Sequence, residues 1–234
     1  MILVDKKYKL RKDRTIEVNG KTLYQIEALR TFDEVKKGDL GGYIEKEDNL
    51  SHDGNCWVYP YAKVFDNARV EDNAAVIGFT LVYGNAKVFE NAWVYDGVYV
   101  YDNAMVYGNA KVFKNSQISN DARIYDNARI SENTKIYGKA EIYGNADITC
   151  NSEIYGNSQI SGNVMFYRKH FNDYKNIGDI PFTELNKLKI QSPDGYEIDK
   201  ENSTSNCIKF KKKDKGKMKK VEKFYVVKNY LIVE

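Results

Sequence analysis

A large apolar residue recurs at every sixth position of this chain, from Val58 to Phe166, without one slip of register. The series is Val at 58, 64, 70, 76, 82, 88, 94, 100, 106 and 112, then Ile at 118, 124, 130, 136, 142, 148, 154 and 160, then Phe166. A helix repeats every 3.6 residues and a simple strand every two, so a period of six belongs to neither alone. It is the mark of a solenoid, a chain wound into stacked coils. The residue two places earlier is always Ala, Ser, Thr, Cys or Val, and the one before that is Asn in 14 of the 19 cases.

Each six-residue unit therefore predicts a short strand and a corner. Residues two apart on a strand face the same way, which sends the small and the aliphatic residue inward and the residue between them outward. Asn at the corner is expected to tolerate left-handed backbone angles, with Gly or Asp before it serving the same turn. Three units close a triangular coil of 18 residues, so the span from Val58 to Phe166 predicts about six coils of stacked parallel strands. Composition agrees with an all-β chain: 19 Tyr and 10 Phe stand beside 2 His and 3 Pro, a bias toward strand.

The units resemble the hexapeptide repeat of left-handed parallel β-helix proteins, in which an aliphatic residue is followed four places later by a small one, as Val64 is by Ala68. That resemblance implies a left-handed coil, whereas the general rule for parallel crossovers favours the right hand. The run LYQIEALRTFDEVKKGDLGGYIEKEDNLSHDGNCWV at 23 to 58, ahead of repeats spelled VYGNAKV, is similar to hexapeptide-repeat proteins carried by phages and prophages of low-GC bacteria. This likeness covers about residues 15 to 166.

A solenoid must cover its open ends. Residues 1 to 48 are expected to form an N-terminal β cap, with a hairpin at Asn19-Gly20 and a tight entry at KKGDLGGYI. Residues 49 to 166 are the β-helix, begun in degenerate form with His52 at an aliphatic position. Residues 167 to 234 are expected to be a small basic β-rich module, with a hairpin around Asp214-Lys215-Gly216 and an apolar strand from Phe224 to Val233.

Chemistry is sparse. Three scattered cysteines make neither a disulfide framework nor a metal motif, and no window reaches the roughly 18 apolar residues of a membrane span, so the expectation is a cytoplasmic protein without cofactor or metal. The resembling families include acyltransferases with a histidine base and zinc carbonic anhydrases with three histidine ligands. Two histidines exclude the anhydrase, and His170 is the candidate base of an acyltransferase, the runner-up reading.

The leading expectation is a non-enzymatic protein that works by surface contact. Its candidate surface is Ile77, Leu81, Tyr83, Trp93, Tyr95, Tyr99, Tyr101 and Met105, an apolar cluster amid charged neighbours. A second candidate is the basic set Lys209, Lys211, Lys212, Lys213, Lys215, Lys217, Lys219 and Lys220, which suits an acidic partner or nucleic acid. Homo-oligomers, a trimer first, are the expectation from the resembling families. The phage resemblance implies a host bacterial protein as partner, inhibited or sequestered, such as a component of a defence or CRISPR system. A self-assembling structural rod is the third reading.

Overall fold

The computed structural model describes residues 6–162 in full, and beyond them the backbone of the strands Val164–Tyr167, His170–Asn172, Tyr196–Ile198, Phe210–Lys212, Phe224–Val227 and Tyr230–Val233. It is an all-β parallel solenoid of about seven turns. The six-residue unit sets three faces. Face I stacks the outward residues Lys63, Leu81, Tyr99, Gln117, Lys135 and Glu153; face II stacks Trp57, Ala75, Trp93, Lys111, Arg129 and Asp147; face III stacks Arg69, Lys87, Met105, Arg123, Glu141 and Gln159. Each pair is parallel and in register at a spacing of 18 residues.

Every Val and Ile of the series from 58 to 160 is fully buried, as are the alanines two places before them. Burying one such side chain is worth about 1.5 to 3 kcal/mol, and with three per coil the core is continuous along the rod. Backbone bonds run from coil to coil, as from Trp93 N–H to the Ala110 carbonyl at 2.9 Å and from Tyr95 N–H to that of Val112 at 2.9 Å.

The corners depart from expectation in one respect. The left-handed residue is the one before the Asn, namely Asp66, Asp72, Glu90, Asp102 and Asp126, or a Gly such as Gly84. The Asn spends its side chain instead. Between faces III and II, the Nδ2 groups of Asn73, Asn91, Asn109 and Asn127 donate to Oδ1 of the Asn one coil on, ending at Asn145, at 3.1 to 3.3 Å. Between faces I and III the same ladder runs Asn67, Asn85, Asn103, Asp121. A carboxylate or amide at a fixed 18-residue step is thus a hydrogen-bonding choice more than a conformational one.

At the start, β1 (Tyr8–Val18) and β2 (Lys21–Ala28) form an antiparallel hairpin through Asn19 and Gly20, both at positive φ, and β3 (Leu40–Ile44) pairs antiparallel with β2 and parallel with Lys63–Val64. One turn more than the sequence count results, because β3 lies on face I ahead of the regular units. Gly42 permits this: a Cβ there would strike the Ala62 carbonyl oxygen. Leu50 bridges to Val70 and takes the buried aliphatic place that the regular period assigns to His52.

At the other end, Val164–Tyr167 continues face II and pairs with Tyr230–Val233, and His170–Asn172 continues face I. The expected hairpin around Asp214 is not formed: Phe210–Lys212 pairs with Tyr196–Ile198. The expected single strand from Phe224 to Val233 is two strands, Phe224–Val227 and Tyr230–Val233, paired antiparallel. The polar pair Lys228-Asn229 interrupts the apolar run and suits a hairpin connection.

Candidate functional site

The repeat dictates what each corner should carry, so departures from it locate the site. The Asn position is broken five times, by Tyr61, Phe79, Gly97, Asp121 and Lys139. The first three are consecutive rungs of one corner, the edge between faces II and I. There the ladder of amides is replaced by two rings and a glycine.

Tyr61 and Phe79 stack with centroids 5.2 Å apart and planes at 27°. Pro60 fixes its own φ in the right-handed range, so the left-handed residue of this corner moves one place on, to Tyr61 at φ 72. The Tyr59 carbonyl accepts from Ala62 N–H at 3.2 Å, closing a turn of the type that normally takes Gly or Asn at that position. Holding a tyrosine there costs about 1 kcal/mol or more. In the next coil Gly78 takes the left-handed place at φ 68, and Phe79 follows it.

Among the described residues, the large hydrophobics that stand exposed are Tyr61 at 63%, Phe79 at 68%, Trp93 at 48% and Tyr99 at 40%. All four lie at this corner or on its flanks: Trp93 on face II, Tyr99 on face I. Lys111 Nζ sits 5.8 Å from the Trp93 ring centroid, one coil on. Below the aromatic rungs the surface turns basic, with Lys111, Lys114 and Arg129, where Lys114 also pairs with Glu132 at 3.1 Å and Arg129 with Asp147 at 3.6 Å.

Of the surface expected from sequence, Ile77, Leu81, Trp93, Tyr95 and Tyr99 do gather here. Tyr83 and Tyr101 belong to the next corner, stacked with Phe65 in a ladder at 5.1 Å, and Met105 lies on face III. Half-buried rings stacked face to face serve the coil itself. Similar ladders join Phe89, Tyr107, Tyr125 and Tyr143, where burial pushes the Tyr125 hydroxyl up to about 12. Sequence reasoning missed Tyr61 and Phe79, although both stand at broken Asn positions.

The titratable groups form a second cluster, between the N-terminal sheet and the first coil. Lys7 is fully buried, and its ammonium donates to the Cys56 carbonyl at 2.9 Å, the Asp53 carbonyl at 3.3 Å and Cys56 Sγ at 3.2 Å. Burial lowers the Lys7 amine and raises the Cys56 thiol, so Cys56 is a packed thiol and not a nucleophile. His52 stacks on Tyr8 at 4.3 Å, and its Nδ1 accepts from Lys7 N–H at 3.2 Å. Tyr8 and Phe32 meet the Trp57 ring edge-on, leaving Trp57 2% exposed. This cluster fastens the sheet to the rod.

Among the described residues, no group of three or more His, Cys, Asp and Glu is placed to hold a metal ion, and no helix is long and apolar enough to cross a membrane. His170 opens a strand in register with Glu153. Of the basic set, Lys211 and Lys212 fall on a described strand; Lys209, Lys213, Lys215, Lys217, Lys219 and Lys220 lie outside the described residues.

The YdcK β-solenoid repeat family matches residues 116–132 and 122–138. A stretch of 37 residues is 46% identical to an Escherichia coli K12 protein named an uncharacterized acetyltransferase, YdcK, and it spans 16% of this chain and 11% of that protein. Both likenesses support a hexapeptide-type β-solenoid. They overturn the expectation of a phage-derived inhibitor of a host defence protein: the likeness is to a bacterial protein whose printed name is that of an acetyltransferase, and nothing in it points to inhibition.

Proposed function

We propose that this solenoid is an assembly module that associates with copies of itself through the corner between faces II and I. The observation that carries the reading is the confinement of Tyr61, Phe79, Trp93 and Tyr99, the exposed large hydrophobics among the described residues, to one corner of three successive coils. Exposed apolar clusters of this kind mark contact surfaces, and Trp and Tyr are favoured contact residues. The rest of the outward surface of the coils is mainly charged or amide-bearing, which suits solvent.

Sedimentation velocity over a range of concentrations tests this. The chain is expected to sediment above its 27.0 kDa monomer mass, and a Phe79→Ser, Trp93→Ser variant at the monomer mass. A wild-type chain that stays at 27.0 kDa throughout would remove the proposal.

A second reading, acetyl transfer, is favoured by the name of the E. coli relative. The matched residues are coil units whose side chains make the core and corners, and the described residues supply no histidine to the coils themselves. Release of free coenzyme A from acetyl-coenzyme A in the presence of amine acceptors is the test.

A further inference from the structure

We propose that the aromatic corner is completed by a second copy of the chain, in an antiparallel two-fold pairing that fills the rung left open at Gly97. This rests on the self-association proposed above and adds its geometry.

Along this corner, rungs follow one another at the coil spacing of about 4.8 Å. The first two hold the stacked rings of Tyr61 and Phe79. The third holds Gly97, at φ 78, and the fourth Asn115. The position after Phe79 therefore has no side chain, while Trp93 and Tyr99 of the same coil stand on either side of it. A Cβ on Gly97 would strike Asn115 Oδ1, so the opening is part of how the corner packs.

A two-fold axis perpendicular to the rod, passing between the rungs of Phe79 and Gly97, relates the copies reciprocally. It lays Phe79 of the second copy over Gly97 of the first, and the reverse. Tyr61, Phe79, and then Phe79 and Tyr61 of the second copy become one stack of four rings. Such an isologous contact closes on itself and stops at two copies.

Charge selects the same arrangement. The axis sets the coil of Trp57 against the coil of Lys111, since Trp57, Ala75, Trp93 and Lys111 are successive levels of face II. Over Trp57 lies the turn of Phe32, whose ring is 5.4 Å from the indole. Its exposed acids, Asp33 and Glu34, are close enough to Tyr59 to raise its hydroxyl together with burial. Val35 bridges back to Phe32, which closes this acidic loop ahead of Lys36 and Lys37. Opposite stand Lys111 and Lys114 of the second copy. Acid meets base twice, once on each side of the axis. A parallel or three-fold packing about this corner would instead set Lys111 against Lys111, which like-charge repulsion opposes.

The test is a charge exchange read by sedimentation equilibrium. One variant carries Lys111→Glu with Lys114→Glu; the other carries Glu34→Lys with Asp33→Asn, because Asp33 at φ 44 suits Asn. Each alone is expected to weaken the dimer by about tenfold or more, and their equimolar mixture to restore it. Gly97→Asn, which fills the rung with a residue tolerant of left-handed backbone, is expected to abolish the dimer and leave thermal unfolding unchanged. Charge variants that pair like wild type, a mixture no tighter than its parts, or a wild-type trimer would overturn the two-fold pairing while self-association stands. A wild-type monomer at every concentration would overturn both.

Discussion

Trp57 and Trp93 occupy the same column of face II, two coils apart, each beside Ala75 in register. One is 2% exposed and the other 48%. The repeat treats them alike, and the difference comes from outside it: the N-terminal sheet lays Tyr8 and Phe32 against Trp57, while nothing in the described chain lies over Trp93 except the Lys111 ammonium. An outward aromatic on a solenoid is thus a demand for a cover. This chain meets the demand at one level and leaves it open at the next levels, and that contrast locates the contact surface.

The largest effect that would break the comparison is on stability. Trp57→Ala is expected to destabilise by about 3 to 5 kcal/mol, the cost of removing a fully packed indole, and Trp93→Ala by less than about 1 kcal/mol. Chemical denaturation of both variants under conditions where the chain is monomeric measures it. Equal losses would mean that Trp93 is held as firmly as Trp57 and is not available to a partner.

A smaller effect compares the corners themselves. Asn109 donates to Asn127 and accepts from Asn91 across solvent-exposed rungs. Asn109→Ala is expected to cost about 0.5 to 1 kcal/mol, the net worth of exposed hydrogen bonds, with no change in association. Denaturation midpoint and sedimentation on one sample separate the two. A loss of association there would spread the contact surface beyond the aromatic corner.

How far the sequence led follows from the same contrast. The aliphatic period fixes faces, register and core because a one-residue slip would expose every Val and Ile together. It is also why Tyr83 and Tyr101 were grouped with Trp93: a linear count cannot tell that 83 and 101 turn one corner and 79 and 97 another. The Asn register did hold the answer, since Tyr61, Phe79 and Gly97 break it at intervals of 18. The burial of Trp57 was not legible, because it depends on Tyr8 and Phe32 arriving from an irregular hairpin and turn. Nor was the place of Leu50, which rests on an entry into the first coil that does not keep the period.

The cover over Trp57 can be loosened by acid, through His52. Its Nδ1 accepts from Lys7 N–H and so must be unprotonated in the fold, and burial holds the ring below its ordinary value of 6.5. Glu47, at 3.9 Å from Nε2, favours the proton, and Lys6 and Lys7 oppose it. The unfolded chain then takes up a proton first, so this contribution to stability is complete above the unfolded value and is lost as pH falls below it, levelling off once the folded value is passed. Glu47, held low by Lys6, adds its own loss at more acid pH. Denaturation midpoints are expected to fall below pH 6.5, and His52→Asn, which keeps an acceptor but does not titrate, is expected to flatten that first decline. An unchanged decline in the variant would place the sensitive group elsewhere.

Tyr61 gives the smallest effect on folding and the most direct reading of the contrast. Replacing it with Asn, the residue the repeat prefers, relieves a left-handed tyrosine worth about 1 kcal/mol or more and forfeits a ring stack of about 0.5 to 1.5 kcal/mol. The two offset, and the unfolding free energy is expected to move by less than about 0.5 kcal/mol, within the usual range for a surface substitution. Association is expected to weaken all the same. Selection for stability alone has no reason to keep a strained, exposed tyrosine where an asparagine serves as well; a contact surface does. If Tyr61→Asn instead destabilised the monomer by several kcal/mol, the ring would belong to the fold, and the contrast between covered and uncovered aromatics would lose its sharpest member.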